Sequence, residues 1–224
     1  MQKIICNKKY DIDMSKIPDL LEFILTKNGI KDTQKFKNPT RVDIHDPFIF
    51  RDMDRALDFI KEIIKKKKFG IVIDPDVDGL TSAATMVNFL KDNFNVEYIY
   101  FIPYGKSHGL DEKRMEEIKN SECKYIIIPD AGSSDIKQCK ELKELGKKIL
   151  ILDHHGYTDE SIRKYATLIN CTDGSYPNVN LSGATVVQKT IDAFVEKYSK
   201  EYNLNREQRD KYLDLVSLGT IADS

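Results

Sequence analysis

Apolar positions follow two different patterns along the chain. From Ser15 to Asn28 and from Asp52 to Lys68 they recur every three or four residues. Leu20, Leu21, Ile24 and Leu25 form the first stripe, closed by Gly29, and Ala56, Leu57, Ile60, Ile63 and Ile64 form the second. That period predicts two amphipathic helices. Residues 31–45 are polar and contain Pro39, which predicts a linker. Past Lys68 the pattern changes. Short continuous apolar runs at Phe69–Ile73, Val96–Ile102, Lys124–Ile128, Lys148–Leu152 and, weakly, Ala166–Ile169 alternate with helical segments at Thr81–Lys91, Asp111–Lys119 and Ser134–Leu145. Strands buried on both faces read this way, and alternation with helices implies right-handed βαβ units. Helical periodicity closes the chain at Ser182–Tyr198 and Arg206–Leu218. The predicted fold is α/β, with a mostly parallel five-stranded sheet and helices on both faces. A helical extension and linker over residues 1–45 precede a domain over 46–224 whose C-terminal part is helical.

In open α/β sheets ligands sit beyond the carboxyl ends of the strands. Three of the predicted strands end there in acidic residues: Ile73 runs into Asp74, Ile128 into Pro129 and Asp130, and Leu152 into Asp153, His154 and His155. The first of these opens the run DPDVDG, with Asp74, Asp76 and Asp78 alternating over five residues before a helix. Like charges this close repel unless a cation balances them, and hard divalent ions take carboxylate oxygens. Gly79 permits the tight turn. The following helix start, with Thr81 and Ser82, is a candidate phosphate seat. The run resembles the start of a calcium loop, but the Glu required six residues after the glycine is Thr85 here. Alone, DPDVDG suits a helix cap as well as a metal site.

The histidines sharpen the picture. The chain has four, and two stand side by side in Asp153-His154-His155. An imidazole beside a carboxylate is a common metal arrangement, although a lone pair of loop histidines would read more plainly as surface. Asp130 before the turn Ala131–Ser134, and Asp223 after the last helix, add two further carboxylates, each of which alone would read as a cap. Together the set suits two-metal hydrolysis, in which divalent ions activate a water and neutralise the leaving oxygen. No Ser/His/Asp pattern, Walker loop or GxGxxG is present, which leaves water as the nucleophile.

Composition narrows the setting. Over 224 residues the chain is 41% hydrophobic and 32% charged, values of a globular protein, with net charge -1. It lacks the basic footprint of a sequence-reading nucleic-acid binder. Cys6, Cys123, Cys139 and Cys171 form no CxxC pair, so free thiols in a reducing compartment are expected. No apolar run reaches membrane-spanning length, and a cytoplasmic location with no membrane partner is expected. Lys65–Lys68 reads as a solvated helix end. Tyr98, Tyr100, Phe101 and Tyr104 read as strand-end core aromatics before base-stacking ones.

The runs DPDVDG, IIIPDAGSSD, ILILDHHG and LGTIADS resemble the four motifs of the DHH phosphoesterases. Asp46-Pro47-Phe48 with Arg51–Ala56, Ile102-Pro103 with Ser107–Leu110, and Leu181–Ala184 are similar to segments of the RecJ-type single-strand-specific exonucleases. The resemblance covers roughly residues 43–224. It implies a hydrolase that uses two Mn²⁺ or Mg²⁺ ions and digests single-stranded DNA from the 5′ end, with a part in DNA repair or recombination. Asp76, Asp78, Asp130, His154 and Asp223 would ligate the metals, with Asp74 as a further candidate. Asp153 would orient His154. His155 would face the scissile phosphate, with His108, Thr81 and Ser82 near it. Val72 stands where many of the superfamily carry a histidine, and Ala131 where they carry an asparagine. Such proteins continue into a second domain that grips phosphates. That grip is expected from outside these residues, from further chain or a protein partner. Two alternatives remain open: a phosphoesterase of short oligonucleotides or cyclic dinucleotides, and a catalytically reduced scaffold module.

Overall fold

A computed structural model describes residues 20–102 and 107–223. The chain divides into two compact units, Met1–His45 and Asp46–Ser224. The first contains α1 (Leu20–Lys27) and α2 (Thr33–Lys37). The expected start of its first helix at Ser15 lies outside the described residues. Of the stripe Leu20, Leu21, Ile24 and Leu25, only Leu25 is buried. The segment read as a linker contains α2 because Asp32 caps it, its side chain accepting from the Lys35 N–H at 2.8 Å. An Asx cap in a short polar stretch outweighs the lack of an apolar period.

In the second unit α3 (Met53–Lys66) leads into β1 (Lys68–Val72). Then α4 (Val77–Phe94), β2 (Glu97–Phe101), α5 (Glu112–Asn120), β3 (Tyr125–Pro129), α6 (Ile136–Glu144), β4 (Lys148–Asp153) and β5 (Thr167–Asn170) alternate before α7 (Gly183–Tyr202), α8 (Arg206–Asp210) and α9 (Leu213–Ala222). The five strands are parallel in the order β2-β1-β3-β4-β5. All five begin and end within about one residue of the apolar runs.

Strand side chains alternate between two cores. Phe69, Ile71, Tyr125, Ile127, Leu150 and Leu152 pack under α3, α4 and α7. Val72, Ile126, Ile128, Ile149 and Ile151 pack under α5, α6 and a 3-10 turn at Glu160–Lys164. Both faces are therefore covered, which is why the strands read as continuous apolar runs. The edge strand β2 is the exception. Phe101 is core, but Tyr98 and Tyr100 are exposed, contrary to the core reading, because among the described residues no strand or helix covers that face of the edge; Tyr104 lies outside the described residues.

Two differences from the expected helix boundaries bear on the site. The Asp76 side chain accepts from the Gly79 N–H at 2.9 Å, so α4 begins at Val77, four residues before Thr81. The stretch 206–218 is two helices, because Tyr212 turns inward and donates its hydroxyl to Asp92 at 2.6 Å. Tyr212 departs from helical backbone there, with φ -113° and ψ 21°. α9 then runs on to Ala222 and places Asp223 at its end.

Candidate metal centre

The chain crosses from β1 to α4 on one side of the β1–β3 junction and from β3 to α6 on the other. This is the switch point of strand order, where open sheets leave a crevice at their carboxyl ends. Asp130 stands there in left-handed backbone, φ 63°, and is 1% exposed. Such a conformation costs roughly 1 kcal/mol for a residue other than glycine. It ends β3 and turns the chain into the Ala131–Ser134 loop.

Three carboxylates converge on His154. Its Nε2 lies 3.1 Å from Asp130 Oδ1 and 3.8 Å from Asp78 Oδ2, and its Nδ1 lies 3.7 Å from Asp223 Oδ2. Asp78 sits in the first turn of α4 and reaches the start of α7, accepting from Gly183 N–H at 2.5 Å and Ala184 N–H at 3.0 Å. The positive end of that helix steadies a carboxylate that its neighbours repel. Two glycines make the convergence possible. A Cβ on Gly183 would come 2.6 Å from Asp130 Cβ, and one on Gly219 would come 2.6 Å from Asp78 Oδ1.

A second cluster lies alongside. Asp74, 1% exposed, holds His108 Nδ1 at 2.6 Å and accepts from Gly109 N–H at 3.1 Å. Asp74, Asp76 and His108 can bring ligand atoms within 4.8 Å of one another, as can Asp78, His154 and Asp223, and Asp130, His154 and His155. Asp76 itself is exposed.

Asp153 plays a different part from the one expected. Its Oδ1 accepts the His154 backbone N–H at 2.7 Å, while the ring it holds is that of His155, whose Nδ1 is 2.8 Å away. The ring of His154 faces Asp130 instead. Thr81 and Ser82 also depart from expectation. With α4 starting at Val77 they fall in its second turn and are buried, and the Thr81 hydroxyl is used up on the Val77 carbonyl at 2.8 Å. They do not form a phosphate seat.

Charge and burial work against each other here. Burial, reinforced by the charges of Asp78 and Asp76, pushes the Asp130 carboxyl up to about 7, despite the lowering effect of His154. Burial opposes a charge on His154, but Asp130 outweighs it and raises the imidazole. The hydrogen bond to Asp153 raises His155 to about 9. Burial opposes a charge on Asp153 too, yet His155 and the Ser133 N–H outweigh it and hold its carboxyl low. Among the described residues Asp130 Oδ1 and His154 Nε2 are buried and find no hydrogen-bond partner; their 3.1 Å approach lacks the alignment. Buried polar atoms are rarely left so. A carboxylate oxygen and an imidazole nitrogen this close, both without partners, fit a divalent cation.

Sequence reasoning missed the support behind this loop. Asn170, at the end of β5, donates to the Ser133 hydroxyl and the His155 carbonyl, both at 2.9 Å. The strand-end rule could have found it. A cleft of about 390 Å³ opens beside the centre, lined among others by Asp74, His108, Asp130, Ser133, Asp153 and His155.

A parallel sheet with carboxylates and imidazoles gathered at its switch point defines an α/β protein with side-chain groups that could hold divalent metal beside an open cleft. A family model described as DHH family, N-terminal domain, matches residues 68–220, and the chain belongs to the DHH family. It is 32% identical over 209 residues to the putative SPbeta prophage-derived single-strand DNA-specific exonuclease YorK of Bacillus subtilis (strain 168), covering 92% of this chain and 34% of that one. It is 30% identical over 214 residues to the single-stranded-DNA-specific exonuclease RecJ of the same strain, covering 92% of this chain and 26% of that one. The chain thus spans about a third or less of the length of these relatives. The fold is also that of RecJ from Thermus thermophilus solved in complex with Mn²⁺, with a TM-score of 0.66 at 22% identity over 89% of this chain and 27% of that one.

Proposed function

We propose that this chain is the catalytic part of a metal-dependent phosphodiesterase that digests single-stranded DNA from the 5′ end. The observation that carries the reading is the orphaned pair Asp130 Oδ1 and His154 Nε2, set among Asp78 and Asp223. The names of the relatives, single-strand DNA-specific exonucleases, supply the substrate. Asp76, Asp78, Asp130, His154 and Asp223 would hold two Mn²⁺ or Mg²⁺ ions. Bound there, such ions supply Lewis acidity toward a phosphate ester and ease deprotonation of water.

The other residues bind and orient. His155 and His108 each spend Nδ1 on a carboxylate, at 2.8 and 2.6 Å, which leaves Nε2 of each ring for the cleft. Two imidazoles on one cleft suit a phosphodiester. His155, raised by Asp153, carries a proton it can give to a phosphate oxygen. Asp74 is in this reading a brace for His108, and Asp153 a brace for His155 and for the backbone of the loop. Grip on the rest of the strand would come from further chain or a partner protein.

Among the described residues no helix is long and apolar enough to cross a membrane. With free thiols at Cys123, Cys139 and Cys171, we place the protein in the cytoplasm, in DNA repair or recombination.

The test is a 5′-labelled long single strand against a dinucleotide, each with Mn²⁺ and with a chelator. Nucleotide released stepwise from the long strand, only with metal, supports the reading. Consumption of the dinucleotide alone would make the chain a short-oligonucleotide phosphoesterase, and no turnover of either in the presence of Mn²⁺ would make it a scaffold.

A further inference from the structure

Arg114, in the first turn of α5, is 1% exposed and among the largest fully buried side chains. Burying a guanidinium is costly unless its hydrogen bonds are spent on something. Here the two Nη groups spend theirs on a single loop, while Nε is left without a hydrogen bond among the described residues. Nη1 donates to the Gly109 carbonyl, and Nη2 donates to the Ser107 carbonyl at 2.5 Å and to the Ser107 hydroxyl at 3.3 Å. Asp111 supplies the counter-charge, with Oδ2 3.3 Å from Nε, and takes the Ser107 hydroxyl at 2.5 Å.

Ser107 and Gly109 are the residues on either side of His108. The same loop is tied from its other side: Gly109 N–H to Asp74 at 3.1 Å, and Leu110 N–H to Asp135 at 2.8 Å. The loop is therefore fixed on both sides of a residue whose own side chain is 65% exposed and whose ring is held by Asp74. A planar fork can hold two carbonyls at once, whereas an ammonium at the end of a flexible stem holds them singly. The apolar neighbours Leu110, Met115 and Ile118 already pack this region, so the charge adds direction more than packing.

We propose that Arg114 is a positioning residue for substrate phosphate: it sets the backbone around His108 so that the imidazole, braced by Asp74, meets the phosphate across the cleft from His155. This rests on the reading of the cleft as the substrate site. Arg114 itself touches neither metal ligands nor cleft.

The experiment uses the whole chain and compares Arg114→Lys, His108→Ala and the double variant. Both single variants are expected to raise KM for a single-stranded oligonucleotide by about tenfold to a hundredfold, the worth of one charge-assisted hydrogen bond. In both, kcat is expected to stay within about a factor of two, and Mn²⁺ affinity to stay unchanged. The double variant is expected to match His108→Ala alone, since the two act through one contact. A second readout needs no turnover. Thymidine 5′-monophosphate titrated into the ¹⁵N-histidine-labelled protein with Mg²⁺ is expected to shift the His108 ring signal in the wild type and not in Arg114→Lys. Unchanged KM in Arg114→Lys, multiplied losses in the double variant, or an equal nucleotide shift in both proteins would overturn the proposal. Wild type that shifts on nucleotide but never hydrolyses DNA would sink the exonuclease reading and leave Arg114 standing. Should Arg114→Lys not fold, Asp111→Asn, at a partly open position, takes its place with the same expectations.

Discussion

His154 Nε2 and Asp130 Oδ1 lie 3.1 Å apart, both buried, and no hydrogen bond joins them. An imidazole and a carboxylate at this range normally align; these two are held out of line. Asp130 is fixed by its left-handed backbone, and His154 by the grip of Asp153 on its backbone N–H. We propose that the pair holds a metal ion, and several consequences can be measured.

Asp130→Asn keeps the shape and removes the charge. It is expected to abolish Mn²⁺-dependent hydrolysis. In metal-free protein at pH about 8 it is also expected to raise the melting temperature by a few degrees, because it relieves a buried carboxyl whose charged form is disfavoured. Thermal melts with and without Mn²⁺ check both halves. A stabilising effect of Mn²⁺ as large in the variant as in the wild type would contradict the assignment.

Metal uptake is expected to depend on pH in a definite direction. Ligands must be deprotonated to bind. With Asp130 pushed up to about 7 and His154 also raised, protons compete with the ion at neutral pH. Mn²⁺ affinity is therefore expected to fall as pH drops from about 8 to about 6, with protons released on binding. Calorimetry in two buffers of different ionisation enthalpy measures the release.

Gly183→Ala adds one methyl where Asp130 and Asp78 meet the start of α7. Its Cβ would stand 2.6 Å from Asp130 Cβ, so Asp130 must move. Displacements of this size cost about a hundredfold in rate. The expected result is that loss of kcat, measured with saturating Mn²⁺, at a stability cost of only about 1–3 kcal/mol by denaturant titration.

Arg163 offers a contrast away from the centre. Its side chain is 8% exposed and holds Asp52 at 2.7 Å, the Leu168 carbonyl at 2.7 Å, and Asp173. Arg163→Met leaves the buried Asp173 without its cation, while Asp52 keeps Arg55 at 3.2 Å. It is expected to destabilise the domain by about 3–5 kcal/mol, while metal affinity per folded molecule is unchanged. Urea unfolding with parallel Mn²⁺ titration separates the two effects.

The sheet was legible because it is buried on both faces, so that Tyr125–Pro129 and Lys148–Asp153 read as unbroken apolar runs. Asp74, Asp130 and Asp153 were legible because each follows such a run directly, and the strand-end rule needs nothing more. What was not legible depended on side chains acting over distance. Asp76 caps α4, which moved Thr81 and Ser82 from the helix start into its buried second turn. The ring held by Asp153 is that of His155, and adjacent histidines give no sign of which one turns toward a shared carboxylate. Tyr212, bound to Asp92 some 120 positions away, broke a stretch whose period ran on without interruption. Arg114 carried no periodic or motif signal that marked it as a support, and Asn170 stood at a strand end that went unused because its amide is neutral.

The most direct test of the central claim is anomalous scattering from crystals of this protein grown with Mn²⁺. Density for manganese is expected between Asp130 and His154, within reach of Asp78 and Asp223, with a second ion shared with Asp76. Crystals that diffract well and carry no manganese at Asp130 and His154 would contradict it.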